Sequence, residues 1–489
     1  MFQQDDAVLS ANQTALALSA EKDFAWLLAP DALMVPEAIF RANDIRGIIK
    51  KSLTPELMWL LGLGLGTMAR EAGQPTMLVA QDGRLSSPSL THALTKGLLA
   101  TGIDVVDIGQ VPSPVLYFAT HYLATGTGVI VTGSHNAAEF NGLKMMIGGK
   151  TLSQTKIAQL YQVTAQRQFT YGQGTYQVRN LILAYIRAVV SDIYLTRPLR
   201  VVVDCGNGIA GVVAPKLLTA LKCEVIPLYC EIDGHFPNHH PDPSQPQNLT
   251  DLIAAVKLHQ ADIGLAFDGD GDRLGVVTPN GEIIWPDRQI MLFARDVLAQ
   301  NPGAHIIYDV KCSQHLGPFI QQHGGQPVMY KTGHALIKSK MQELNALFAG
   351  EMSGHFFFND RWFGFDDALY SAARLLAMLA ASKGGAEGLF AQLPNSISTP
   401  ELQIAIADSR KFALIEQLRT SADFGEANII EIDGLRVEYA KGWGLIRASN
   451  TSACLVLRFE ADSQAQLLAI QHCFKQQLLA LAPDLSLPF

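Results

Sequence analysis

Between Asp268 and Arg273 the chain reads Asp-Gly-Asp-Gly-Asp-Arg, with carboxylates on alternate residues and glycine between them. That spacing lets a short loop turn all three acids toward one hard cation. An EF-hand would need glycine at the sixth loop position and glutamate at the twelfth; Arg273 and Pro279 stand there and exclude it. Three protein oxygens leave coordination places open, which suits Mg²⁺ shared with a phosphate oxygen. A second stretch, Val131 to Lys144, sets a hydroxyl, an imidazole and an amide side by side at Ser134, His135 and Asn136, with Gly133 and Gly142 free to bend.

Two further loops complement these. Gly350-Glu-Met-Ser-Gly-His355 carries a carboxylate, a hydroxyl and an imidazole suited to sugar hydroxyls. Arg447-Ala-Ser-Asn-Thr-Ser452 follows a cation with hydroxyls and an amide, a set that can cradle a phosphate. Arg288, Lys311, and Lys331 with His334 add basic groups at element ends. Singly, each stretch has a plainer reading as a surface turn, a capping cluster or a solvated charge. Together they describe a reactive serine that handles phosphate.

The elements that must position these loops alternate. Strands Thr76 to Ala80, Ile103 to Ile108 and Val129 to Val131 are separated by helices, and the pattern restarts at Arg200-Val-Val-Val-Asp204 and again near Pro286. The expected fold is α/β: three successive similar α/β domains plus a smaller C-terminal α+β domain. The expected divisions are an extension over 1–35, then domains over 36–180, 181–285, 286–397 and 398–489. Arg41, Asp44 and Arg46 read as one short loop ahead of a helix from about Pro55 to Ala72.

Composition bounds the rest. The chain has 489 residues, 48% hydrophobic and 17% charged, which is globular and long enough for several domains. A net charge of −8 argues against nucleic-acid or membrane-surface partners. The six cysteines are scattered without a C-x-x-C pair, as expected of small buried residues in a reducing compartment. The N-terminus shows no basic n-region or apolar span, so the expected location is cytoplasmic; no coiled-coil or long apolar stripe stands out, so the expected state is a monomer.

Read in order, the stretches Phe40 to Gly47, Thr132 to Asn136, Asp268 to Arg273, Gly350 to His355 and Arg447 to Thr451 resemble the signature loops of the α-D-phosphohexomutases. Glu351-Met352-Ser353 resembles the bacterial phosphomannomutase/phosphoglucomutase group, whereas the phosphoglucosamine branch typically has glutamine at Met352. The resemblance implies that the four domains stand around a central active-site cleft, with a phosphoserine at Ser134 and one Mg²⁺ per chain held by Asp268, Asp270, Asp272 and that phosphoserine. It implies hexose phosphate substrates, with glucose 1,6-bisphosphate as activator and intermediate. Arg447, Ser449, Asn450 and Thr451 would grip the phosphate that is not reacting, and Glu351 and Ser353 the sugar hydroxyls, with Arg273, Arg288, Lys311, His334 and His355 completing the substrate contacts.

Arg46 and Lys144 would join the metal in neutralising the transferred phosphoryl group. The base would be Lys144, its pKa depressed by cations and metal, or His355; Lys144 is preferred because it lies on the serine loop. The chain departs from the family at Asn43, where tyrosine is usual, and at Ala137-Ala138, where proline usually follows Asn136 and whose absence could loosen the loop. The alternatives are a phosphoglucosamine mutase, a Mg²⁺-dependent sugar-phosphate phosphatase and a silent sugar-phosphate sensor.

Overall fold

The computed structural model describes residues 33–449 and 452–489. The extension over 1–35 thus lies almost wholly outside the described residues, as do Asn450 and Thr451. The chain divides into two compact units, one reaching Ile283 and including Phe365–Ala386, the other comprising Ile284–Gly364 and Glu387–Phe489.

The first unit contains two sheets. In one, strands Asp104–Gln110, Thr76–Gln81, Gly128–Val131 and Phe140–Ile147 lie side by side in that order. The first three are parallel and the fourth is antiparallel to its neighbour. In the other, Glu224–Leu228, Arg200–Asp204, Ile263–Phe267 and Leu274–Val277 repeat that order and those directions. The second unit carries a third copy: Gln326–Tyr330, His305–Asp309, Phe348–Gly350 and Phe356–Phe358. One architecture is used three times.

The strand sequences explain the arrangement. Strands covered by helices on both faces become continuous apolar runs, as in Val201-Val-Val203 and Ile263-Gly-Leu-Ala-Phe267, which are buried throughout. Each central strand then ends where the chain must turn. The turn from the third strand to the antiparallel fourth carries Ser134 in the first sheet, Asp268 to Arg273 in the second and Glu351 to His355 in the third. Ligands of α/β sheets bind at such carboxyl ends.

The last segment of the second unit is a six-stranded sheet, antiparallel at every pairing, with helices Asp408–Ser421 and Gln464–Leu481 packed through Leu414, Leu418, Ile470 and Phe474. It matches the expected α+β domain. Among the described residues no helix is long and apolar enough to cross a membrane.

Two local expectations are corrected. Arg46 is not in a loop but in strand Ile45–Ile48, which adds to the first sheet with Arg46 opposite Gly142; the alternation of buried and half-buried residues in Ile-Arg-Gly-Ile is a strand pattern in miniature. Lys144 is likewise on strand Phe140–Ile147, opposite Ile130, rather than on the serine loop, because Leu143 and Met145 beside it belong to the core.

Candidate active site

In the first unit Ser134 sits in a left-handed backbone conformation, φ 49°, and is 2% exposed. Its amide donates to Thr132 Oγ1 at 2.8 Å, and its hydroxyl lies 3.1 Å from Asp268 Oδ2 and 3.2 Å from His135 Nδ1. Burial, followed by the nearby charges of Arg273, Arg46 and Lys144, holds the His135 pKa well below its ordinary value, so the ring is neutral.

What shapes the loop is Arg84. Its guanidinium donates to the carbonyls of Ser134 (2.7 Å), Asn136 (2.6 Å), Ala137 (2.7 Å) and Phe140 (3.0 Å), and Nε donates to Asp82 Oδ2 at 3.1 Å. Asp82 in turn accepts from Thr132 Oγ1 at 2.9 Å, the Gly133 amide at 3.0 Å and Ser87 Oγ at 2.5 Å. Gly133 is required here because a Cβ would stand 2.3 Å from the Arg84 guanidinium carbon. The expectation of a looser loop at Ala137-Ala138 meets this clamp: the Ala137 carbonyl is one of the four that Arg84 holds. Arg46 reaches the same loop through the Gly133 carbonyl at 2.6 Å and the Asn136 side chain, its other arm paired with Asp44. Asn43 is buried and its Oδ1 has no hydrogen-bond partner.

Asp268, Asp270 and Asp272 are fully buried, each offering an oxygen within 4.8 Å of the others. Burial, then the neighbouring charges of Asp272 and Asp270, pushes the Asp268 pKa far above the usual carboxylate range. Asp270 Oδ1 has no hydrogen-bond partner, while Oδ2 accepts from Ser113 Oγ and Lys144 Nζ, both at 2.6 Å. A crowd of desolvated carboxylates with an unsatisfied oxygen fits a divalent cation. Gly269 allows the approach of the two loops, since a Cβ there would meet the Ser134 carbonyl oxygen at 2.2 Å.

Lys144 reverses one expectation. Burial disfavours its charge, but Asp270 and Asp272, both paired with Nζ, outweigh it and raise the pKa well above the ordinary value rather than depressing it. Arg273 donates its amide to Asp268 Oδ1 at 3.1 Å, and its own pKa is raised because the carboxylates outweigh its burial.

The second unit gathers the remaining groups. Glu351 Oε1 accepts from the Gly333 amide at 2.6 Å, and Oε2 lies 3.2 Å from His355 Nδ1. That ring nitrogen is also 2.8 Å from Ser353 Oγ, and His334 stacks near the His355 ring, centroids 5.8 Å apart. Burial works against the Glu351 charge, but the His355 contacts and the Gly333 amide prevail, leaving its pKa below the usual value. Asp309, at the end of strand His305–Asp309 in the third copy, accepts from the Met352 amide at 3.3 Å, as Asp82 does from the Gly133 amide. Burial drives its pKa up to about 6 despite Lys311. Lys311 is itself buried and paired with Glu401.

Arg447 is oriented by Asp433, which also accepts the Thr332 amide at 3.1 Å. Lys411 holds the carbonyls of Ser449 (2.5 Å) and Ser452 (2.9 Å). Arg288 differs from the others: it is buried in helix Pro286–Gln300, and its guanidinium donates to the Phe390 carbonyl at 2.9 Å. Sequence reasoning missed Arg84, Asp82, Ser113, Lys411 and Asp433. The available signal was an acid followed by Gly-Arg directly after a buried strand, in Gln81-Asp-Gly-Arg84.

Known proteins resemble this chain along most of its length. Models of the phosphoglucomutase/phosphomannomutase α/β/α domains I, II and III match residues 37–171, 184–281 and 285–397, and that of the C-terminal domain matches 401–477. The chain therefore belongs to the phosphoglucomutase/phosphomannomutase family. A Pseudomonas putida phosphomannomutase/phosphoglucomutase is 54% identical over 94% of this chain and 99% of its own length. A Neisseria gonorrhoeae phosphoglucomutase is 51% identical over 89% of this chain and 96% of its own. The crystal structure of a Burkholderia thailandensis member of the family superposes with a TM-score of 0.88 at 49% identity, covering 93% of this chain and all of that one.

Proposed function

We propose that this chain is a phosphomannomutase/phosphoglucomutase: it moves a phosphoryl group reversibly between C1 and C6 of hexose phosphates, through a phosphoserine at Ser134 and a 1,6-bisphosphate intermediate. The observation that carries the proposal is the Ser134 hydroxyl 3.1 Å from Asp268 within the three-carboxylate cluster. Asp268, Asp270, Asp272 and the serine phosphate would hold Mg²⁺. When bound, Mg²⁺ supplies charge neutralisation for phosphoryl transfer.

The chain's own residues do the rest. Arg84, Asp82 and Thr132 hold the serine for in-line transfer, and Arg46 steadies the Gly133 to Asn136 backbone while lending positive charge. With Asp270 and Asp272 turned to the metal, Lys144 would lose the contacts that retain its proton; the ammonium would release it, and the neutral amine would then accept the proton of the attacking sugar hydroxyl. Glu351 and Ser353, locked by His355 and Gly333, hold sugar hydroxyls that occupy equivalent places in both substrate orientations. Arg447 with Ser449, Asn450 and Thr451 takes the phosphate at rest, aided by Lys311 and His334. Arg288, engaged with a main-chain carbonyl, supports these groups from its helix.

The proposed substrate range covers mannose and glucose phosphates, with glucose 1,6-bisphosphate as activator, in a monomeric cytoplasmic enzyme. Purified protein with Mg²⁺ should convert mannose 1-phosphate and glucose 1-phosphate to their 6-phosphates in coupled assays. Conversion confined to glucosamine 1-phosphate would overturn the specificity.

A further inference from the structure

Two cysteines not used by this chemistry stand in contact. Cys205 follows strand Arg200–Asp204, and Cys230 follows its parallel neighbour Glu224–Leu228. Their sulfurs are 3.6 Å apart, with Cys230 Sγ also 3.3 Å from the Val203 carbonyl oxygen. Cys205 is buried and Cys230 partly exposed, so an oxidant can reach one member of the pair. Among the described residues no third ligating side chain closes with both sulfurs into a metal cluster.

The pair is wired to the metal loop. The turn after Cys205 returns the Asn207 amide to the Tyr229 carbonyl at 2.8 Å, next to Cys230. One residue further, Gly208 packs against Gly269, and the Ile209 amide donates to the Gly269 carbonyl at 3.1 Å. Gly269 in turn lies against the Ser134 carbonyl. Closing the sulfurs from 3.6 Å to a bond of about 2.05 Å draws the two strand ends together at the turn on which the Asp268 to Asp272 loop rests.

We propose that Cys205 and Cys230 form a reversible disulfide under peroxide and that this bond displaces the metal loop. Contact with Cys205 lowers the Cys230 pKa, whereas contact with Cys230, and then burial, raises that of Cys205, so Cys230 is the first nucleophile. Its thiolate attacks hydrogen peroxide, forming a sulfenic acid and releasing hydroxide, which takes up a proton to become water. The Cys205 sulfur then attacks the sulfenic sulfur; the S–S bond forms, the S–OH bond breaks, and the hydroxyl leaves as water with the Cys205 proton. Two thiols and one peroxide give one disulfide and two waters. A dithiol reverses the step.

The test treats the full-length protein with hydrogen peroxide and maps cross-linked peptides by mass spectrometry, beside Cys230→Ser and Cys205→Ser variants. The Mg²⁺ concentration that gives half-maximal thermal stabilisation and the mutase rate are measured before and after dithiothreitol. The expected result is a Cys205–Cys230 linkage, absent from both variants. It should raise the Mg²⁺ requirement and lower the rate about ten-fold or more, both reversed by dithiothreitol and both absent in oxidised Cys230→Ser. Irreversible Cys230 sulfinate without linkage, or linkage that leaves the Mg²⁺ requirement unchanged, overturns the proposal. The effect on rate rests on the mutase reading, but linkage and Mg²⁺ stabilisation do not. A protein that links and loses Mg²⁺ response yet never isomerises sugar phosphates supports the thiol pair and counts against that reading.

Discussion

Replacing Arg84 with lysine tests whether the serine loop is held by this one side chain. The guanidinium makes four bonds to loop carbonyls and one to Asp82 from a site 2% exposed. An ammonium carries three donors on one point, so at least two of these acceptors lose their partner. Each buried acceptor left without its partner costs about 1–3 kcal/mol, so the two together should make Arg84→Lys cost about 2–6 kcal/mol. Loss of register at Ser134 of about 1 Å should lower kcat by about 100-fold, with KM changed much less. Urea unfolding gives the first quantity, and a coupled glucose 1-phosphate assay on folded protein gives the second. Wild-type stability together with a rate within about two-fold of wild type would refute the reasoning. If the variant does not fold, Thr132→Val removes one Asp82 contact and the acceptor of the Ser134 amide, and should still lower kcat more than stability.

Three further outcomes follow from the same geometry. Gly269→Ala puts a Cβ against the Ser134 carbonyl oxygen and should reduce the rate at least about 100-fold while circular dichroism remains native. Asp309 has a folded pKa raised from 3.8 to about 6. It therefore binds more protons folded than unfolded between pH 4 and 6, and its contribution to stability falls as pH rises through that window, by about 3 kcal/mol. Asp309→Asn should flatten the wild-type change in urea stability between pH 4.5 and 6.5; an identical pH profile would contradict the assignment. Chelation should abolish turnover and lower the melting temperature, with Mg²⁺ restoring both, whereas Asp270→Asn should weaken that stabilisation markedly.

Much of the fold was legible because its strands are uninterrupted apolar runs and its acidic and hydroxyl-bearing loops are contiguous in sequence. Asp268 to Arg273 and Glu351 to His355 each lie within one turn, so local spacing was enough. Arg84 was not legible as the loop's clamp, since it meets carbonyls 50 to 56 residues away through strand pairing. Arg46 and Lys144 were misplaced for a related reason: the alternation of a four-residue strand is too short to stand out, and Phe140–Ile147 has Gly142 and Lys144 interrupting its apolar residues. The sign of the Lys144 shift depended on Asp270 and Asp272, which are 126 and 128 residues distant.

The most direct measurement of the central claim is a coupled assay on mannose 1-phosphate, glucose 1-phosphate and glucosamine 1-phosphate with Mg²⁺, with and without glucose 1,6-bisphosphate, comparing the wild type with Ser134→Ala and recording free phosphate. Bisphosphate-stimulated conversion of the first two, strongly reduced in Ser134→Ala and without phosphate release, is the predicted result. Stoichiometric phosphate release, or full activity in Ser134→Ala, would contradict the account.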